Sequence, residues 1–342
     1  MRMIRENKGR WQRMLRSFGV FPWLLCAVIA SGCSPNSDTA APRKVRVSFN
    51  PHLGWGPFLI AQAEGFFRDE GLEVELVQAM EVEETLVALI TGNIDVRPGA
   101  LHAAFFSAVA KGAPVRIVAG SGVLAPGGCT YFGIVLRPGL DTAGTPRIRR
   151  LRTSLDGSTR YVVSRMIATR GISLDSIETT RLEDAMIPMS LRNGSLDAGA
   201  VTEPNLTRVA QAGTLWLSAQ DVLPGYQWSV LAFSERLWMK ERDTGRRFLR
   251  AWHRAVAQFR EGKTDRNVAI LAEGTRETPE HVRAACWPTF TVDSRVDWRS
   301  IDEFQQWAKS QGFMEQTVSP EQVLDTMLVA ETAPPPDAPA AR

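Results

Sequence analysis

Leu89-Ile90-Thr91-Gly92-Asn93-Ile94-Asp95-Val96 returns about 100 residues later as Leu191-Arg192-Asn193-Gly194-Ser195-Leu196-Asp197-Ala198, with the shared pattern Leu-x-x-Gly-x-x-Asp. In each copy the apolar end of a helical stretch meets a glycine and then a short strand-like segment, which reads as helix, turn, strand. The flanks of the first copy complete a unit. Lys44 to Phe49 alternates as a strand, and Asn50 to Pro57 is a Pro/Gly-rich loop. A helix is expected from Phe58 to Glu70, closed by Gly71, followed by a strand over Leu72–Val77 and a helix over Glu83–Thr91. The second copy has the same order: strand Arg149–Ser154, loop Gly157–Thr159, helix Arg160–Arg170, strand Ser176–Leu182, helix Asp184–Arg192 and strand Leu196–Val201. Strand–helix–strand–helix–strand with right-handed crossovers predicts a largely parallel α/β sheet, and two copies predict two lobes.

Working outward, Tyr131 to Leu136 (YFGIVL) and Trp228 to Phe233 (WSVLAF) are strongly β-prone runs that bracket the second copy. They read as the two crossing strands of a hinge. Beyond Ser234 the chain turns helical. Phe248, Leu249, Trp252, Val256 and Phe259 lie at helical spacing in Thr244–Glu261, and helices follow over 265–273, 279–286 and 301–311. These helices are expected to return onto the first lobe, with Trp252 and Trp307 as core. The expected fold class is α/β, two-lobed, each lobe a mixed sheet flanked by helices. Lobe 1 takes 44–132 and 234–332, and lobe 2 takes 133–233.

The N-terminus is different in kind. Residues 1–32 hold six basic side chains and one acid, and Phe18 to Ala30 is apolar. A charged start, an apolar run too short to span a bilayer and small residues before a cut describe a secretory signal. Ala30-Ser31-Gly32-Cys33 resembles a bacterial lipobox, with Ala30 where Leu is usual. The resemblance implies lipidation at Cys33 and attachment to a membrane; the plainer alternative is a cleaved signal with an incidental Cys. Residues 33–43 form a flexible tether, and 333–342 a Pro/Ala-rich disordered tail. Without residues 1–32 the chain carries 34 basic and 36 acidic residues, a net of −2, so no basic excess argues for nucleic acid. Cys129 and Cys286 are either paired in an oxidising compartment or two buried thiols. The four scattered His and the absence of CxxC spacing predict neither metal nor cofactor.

Several further stretches carry a family resemblance. They are Gly54-Trp55-Gly56-Pro57-Phe58 through Gly65-Phe66-Phe67, Gly71-Leu72-Glu73-Val74, the first Leu-x-x-Gly-x-x-Asp copy, Gly112-Ala113-Pro114-Val115, Gly194-Ser195-Leu196-Asp197-Ala198 and Glu203-Pro204. In that order, over about 44 to 315, the chain resembles the periplasmic solute-binding proteins of ABC importers for sulfonates, taurine, nitrate and thiamine-related pyrimidines (SsuA/NMT1-like). The resemblance implies a monomeric periplasmic-binding-protein fold of type II that closes on a small-molecule solute and delivers it to a membrane permease with its ATPase. The Arg-rich stretch Pro146–Thr153 departs from the Gly-Lys opening usual for the second lobe.

In open α/β sheets ligands sit beyond the carboxyl ends of strands. That rule selects Gly54 and Trp55 in the first loop, Gly99 in the loop after the third strand, Ser158, Thr159 and Arg160 at a helix start and Glu203 after the last strand of lobe 2; Ser121 lies nearby, before the hinge, and Tyr226 and Trp228 stand at the return crossing. Free N–H groups at a helix start favour an anion, and Ser158 or Thr159 serves equally as a plain N-cap. Arg160 offers a fork to a carboxylate or sulfonate, or is an exposed side chain. Trp55 reads as a flat apolar wall. Glu203 is an acceptor for an amino group or a surface carboxylate, and Tyr226 and Trp228 form an aromatic lid. His52 reads as structural. This set suits an organic solute, a sulfonate, an aromatic carboxylate or an aminopyrimidine, better than nitrate. No Ser/His/Asp set or spaced carboxylate pair suggests catalysis, and a subunit that presents ligand to a membrane sensor would share the same lobes.

Overall fold

The computed structural model describes residues 41–78, 81–154 and 157–333. The signal, Cys33, most of the tether and nearly all of the C-terminal tail lie outside the described residues. In chain order the first lobe contains β1 (Arg43–Phe49), α1 (Gly56–Ala63), α2 (Phe66–Asp69), β2 (Leu72–Gln78), α3 (Val82–Ile90), β3 (Val96–Ala100), α4 (Ala103–Ala110), β4 (Arg116–Gly120) and the two-residue β5 (Gly122–Val123). The second contains β6 (Phe132–Leu136), β7 (Arg150–Arg152), α5 (Gly157–Ala168), β8 (Glu178–Thr180), α6 (Ile187–Arg192), β9 (Ala198–Thr202), α7 (Asn205–Ala210), β10 (Thr214–Ser218) and α8 (Ala219–Val222). The chain returns through β11 (Ser229–Phe233). It ends in α9 (Arg242–Arg260), α10 (Asp265–Thr275), α11 (Pro279–Ala284), β12 (Thr289–Phe290), α12 (Trp298–Ser310), α13 (Pro320–Val323) and α14 (Thr326–Thr332).

Two five-stranded sheets result, ordered β2-β1-β3-β11-β4 and β8-β7-β9-β6-β10. They correspond strand for strand. β1 pairs in parallel with β2 and β3, as β7 does with β8 and β9, and a single antiparallel strand, β11 or β6, joins each parallel half to the outer strand. The duplication therefore extends from the Leu-x-x-Gly-x-x-Asp motif to the whole lobe, and the sheets are mixed. β6 lies in the second sheet and β11 in the first. Residues 229–233, expected at the end of lobe 2, thus belong to lobe 1, because β11 finds its partners in β3 and β4.

The duplicated aspartates explain the motif. Asp95, buried at the start of β3, accepts from Arg46 N at 2.8 Å and from Arg236 Nε at 3.0 Å. Asp197, buried at the start of β9, accepts from Arg149 N (2.8 Å), Arg150 N (3.1 Å) and Arg137 Nε (2.9 Å). Each carboxylate therefore ties the first parallel strand of its lobe to an arginine just beyond that lobe's antiparallel strand, three residues after β11 and one after β6. A buried charge held by several donors in this way is satisfied in a low-dielectric setting.

Continuous apolar runs mark strands covered on both faces. In β6, Phe132, Ile134 and Leu136 join the large core shared by the lobes, while Val135 faces a smaller core under α6 and α7. The first lobe packs α1, α9 and α10 on its sheet around the fully buried Phe58, Phe248 and Trp252. Trp252 also donates Nε1 to Ser294 Oγ at 3.2 Å. The returning helices are not confined to lobe 1, because α12 lies against both α4 and α5, with Phe304 and Trp307 packed on Tyr161. The helix expected over 58–70 is two helices, divided where Gly65 adopts the left-handed conformation. Cys129 and Cys286 are joined, Cα to Cα 5.6 Å, which ties the crossing segment before β6 to the residues after α11.

Candidate functional site

The carboxyl end of β9 and the amino ends of the antiparallel strands β6 and β11 meet at a small cavity lined by Tyr131 and Phe132 at the start of β6, Thr202 at the end of β9, Ser158, Thr159 and Val162 on α5, and Trp228 before β11. Its volume is about 10 Å³, room for roughly one water molecule. The start of α5 brings the lobes together. Gly157 has φ +77°, and a Cβ there would lie 2.7 Å from His102 Nε2, so only glycine lets the helix approach this closely. The next residue, Ser158, donates its N–H to Leu101 O at 2.8 Å and its hydroxyl to Trp228 O at 3.0 Å; Leu101 N donates to the same Trp228 carbonyl. The positive end of the α5 dipole thus meets carbonyls of the first lobe.

Sequence reasoning missed four of the seven lining residues, Tyr131, Phe132, Val162 and Thr202, and Tyr131 among them reads simply as the first residue of a β-prone run. Its ring lies 5.8 Å from that of Trp228. Its hydroxyl sits 3.1 Å from where a Cβ on Gly54 would stand, which places the first loop beside it. Burial, reinforced by the nearby Glu203 carboxylate, pushes the Tyr131 phenol well above its ordinary range, so it stays a protonated donor. The legible signal was its position: an aromatic directly before a crossing strand, paired through its carbonyl with Glu203 N at 3.0 Å.

Of the ten expected residues, Ser158, Thr159 and Trp228 line the cavity, and Gly54 lies next to Tyr131. The other six stand outside the lining. Trp55 packs on the first-lobe core and donates Nε1 to Ser48 O at 3.3 Å. Gly99 is not in a loop but in β3, opposite Val230, because β11 supplies partners that prolong the strand through Pro98. Ser121 is buried between β4 and β5 and bonds Ser229 O through its N–H at 3.1 Å. Arg160 turns to β8, donating Nη1 to Thr179 Oγ1 at 3.2 Å. Tyr226 is buried against Tyr161, ring centroids 5.3 Å apart, rather than forming a lid. Glu203 is not a surface carboxylate. It is buried and accepts from Thr207 N (2.9 Å), Thr207 Oγ1 (2.7 Å) and Cys286 N (3.1 Å), which leaves little capacity for a ligand amine.

The lobes also meet at a polar clamp. Arg208 on α7 donates Nη2 to both Glu277 oxygens at 3.0 Å, and His281 on α11 bridges Glu277 at 2.7 Å and Pro204 O at 2.9 Å. His52 lies nearby; burial lowers its pKa, while Asp184, Arg152 and Glu277 act on it with opposing signs. Among the described residues, no group of three or more His, Cys, Asp or Glu is placed to hold a metal ion, and no helix is long and apolar enough to cross a membrane.

Residues 54–262 match the family model described as NMT1/THI5 like. No curated protein sequence matches the chain. Among solved structures, the zinc-bound ligand-binding component of an ABC-type import system from Staphylococcus aureus is similar with a TM-score of 0.71 and 14% identity, over 85% of this chain and 99% of that one. The periplasmic aliphatic sulphonate binding protein SsuA from Escherichia coli gives 0.66 at 16% identity, over 83% and 92%. The desulfurization enzyme DszB gives 0.64 at 15%, over 85% and 98%. At these identities the likeness is one of fold.

Proposed function

Because the chain belongs to the NMT1/THI5-like family, we propose that it is the solute-binding subunit of an ABC importer, exported and held to a membrane through a lipid on Cys33. The observation that carries the reading is the cavity itself. Strand ends of both lobes, the start of a helix and three aromatic residues meet there, and its polar side-chain groups are hydroxyls and the Trp228 indole N–H. None of its lining residues is a Cys, His, Asp, Glu or Lys, so it offers hydrogen bonds and stacking rather than a nucleophile with a base, which favours capture over the chemistry of an enzyme such as DszB.

A pocket for an organic solute is typically about 300 Å³ or more, so entry requires the lobes to part about the two crossing segments. A solute contacting both lobes then favours the closed arrangement, because only there are both sets of contacts made. An organic sulfonate or related anion suits the α5 terminus. An aminopyrimidine suits the site less well, since Glu203 is engaged with Thr207 and Cys286. Thermal-shift measurements on the processed protein against sulfonates, aromatic carboxylates, pyrimidines and nitrate test the reading. Stabilisation that grows with concentration is expected for one class, and a flat response across all of them would remove the solute-binding assignment.

A further inference from the structure

Strand β3 carries a guanidinium for which the described residues provide no counter-ion. Arg97 is 7% exposed, and its one hydrogen bond runs from Nη1 to Ala100 O at 3.4 Å. A guanidinium has five N–H donors, and no described carboxylate pairs with this one. Burial lowers its pKa to about 10, so it is still cationic at neutral pH. Arg97 lines a second pocket with Leu101, His102, Phe105, Ile117 and Val230 under the first turn of α4. A lone buried cation is costly, and an anion that accepts a planar pair of N–H bonds is its natural complement.

The location of this pocket gives the charge a use. Leu101, in its wall, is the residue whose carbonyl receives Ser158 N–H, and Leu101 N and Ser158 Oγ both donate to Trp228 O. The Arg97 pocket, closed in this arrangement with no room for a water molecule, and the interlobe cavity share no lining residue, but Leu101 of the first is hydrogen-bonded to Ser158 of the second, so the proposed parting of the lobes would break the contact between them. We propose that Arg97 is the anion-binding residue of the cleft, receiving the sulfonate or carboxylate group of a solute whose remainder lies among Tyr131, Thr159 and Trp228. The inference rests on the reading of the cleft as a solute site and adds to it a charge requirement. His102, whose imidazole is driven down to about 4 chiefly by burial and then by Arg97, adds no competing positive charge at neutral pH.

The test uses the full chain, expressed for export and purified in mild detergent, with methanesulfonate and benzenesulfonate as anionic probes, benzenesulfonamide as the neutral isostere and chloride at matched ionic strength. Melting temperature and titration calorimetry are both read. The wild type is expected to be stabilised by the sulfonates and not by the sulfonamide. Arg97→Met should bind the sulfonates about 10-fold or more weakly while melting, without anion, at or above the wild-type temperature. Arg97→Lys, which keeps the charge without the fork, should fall between them and serves if the Met variant does not fold. Sulfonate affinity within about twofold of wild type in either variant overturns the proposal, as does an anion-free loss of stability in Arg97→Lys, which would mark a structural arginine. If an aminopyrimidine stabilises the wild type and sulfonates do not, Arg97 loses this role and the cleft keeps its own; if sulfonates, aromatic carboxylates, pyrimidines and nitrate all fail to bind, both fall.

Discussion

Removing the Cys129–Cys286 bond tests how the crossing segment is held. The bond closes a loop of 157 residues. In the chain-entropy account, cross-linking a loop of that length withholds about 17 cal/mol/K from the unfolded chain, or about 5 kcal/mol at 25 °C. The double variant Cys129→Ala/Cys286→Ala should approach that loss without leaving a stray thiol. Two features act to keep the folded arrangement in place once the bond is gone: Cys286 lies in a buried setting, and its N–H reaches Glu203 through the backbone, which alanine preserves. The cost then falls on the unfolded side, and the melting temperature should drop by roughly 10–20 °C on the usual conversion for large domains. Urea unfolding followed by tryptophan fluorescence, with and without a reductant that does not absorb, reads both numbers. Reduced wild type and the double variant should coincide, and the variant should ignore reductant. A loss below about 1 kcal/mol, or a variant that responds to reductant, would refute the argument that this cross-link restrains the unfolded chain.

Further outcomes follow from other groups. Asp95→Asn and Asp197→Asn should each cost about 1–3 kcal/mol in denaturant melts, since each weakens charge-assisted hydrogen bonds at a buried carboxylate while its arginine, about a third exposed, can still be hydrated. Burial raises the Asp197 pKa, but hydrogen bonds from Arg137, Arg149 and Arg150 outweigh it and hold the carboxyl below its ordinary value. Its contribution is complete above the unfolded value of about 3.9 and disappears as pH falls through the lower folded value, so Asp197→Asn should flatten the acid limb below about pH 4. His253 is buried and held to about 4 mainly by desolvation. Below pH 6.5 the unfolded chain takes up a proton that the folded one refuses at this site, so His253 should contribute a decline of about 3 kcal/mol between pH 6.5 and 4; His102, held to a similar value, adds its own, and His253→Gln should remove only the His253 share of the slope. Gly157→Ala should push α5 away from His102 and weaken solute binding about 10-fold or more while the circular dichroism spectrum stays unchanged.

Much of the architecture was legible because it is periodic and repeated. The alternation in β1 and β2, the helical spacing in α9 and the Leu-x-x-Gly-x-x-Asp pair each depend on neighbours within a few residues. Features that depend on distant partners were not legible. β3 runs through Pro98 and Gly99 because β11, 130 residues away, lends it hydrogen bonds. β10 is an outer strand whose apolar run, Leu215-Trp216-Leu217, is too short to mark a strand by itself until β6 lies beside it. The candidate site divides in the same way. Ser158 and Thr159 were accessible as a helix start, and Trp228 as an aromatic at a crossing. Glu203 and Trp55 look like free chemistry in a one-dimensional reading, and only the fold turns Thr207, Cys286 and Ser48 towards them. Arg97 was passed over because a single arginine in a strand gives no sign that its acid is missing.

The brackets at Asp95 and Asp197 draw every one of their donors from their own lobe. The far ends of the two antiparallel crossing strands are therefore riveted, each within a single rigid body. If the lobes part as proposed, the twist falls at the near ends, in the stretches leading to Tyr131 and to Trp228, two of the cavity's aromatic residues. On that proposal the torsions that absorb the movement and the surfaces that grip a solute are the same few residues. A substitution chosen there to alter grip would also alter the stiffness of the joint, and affinity and opening rate should shift together.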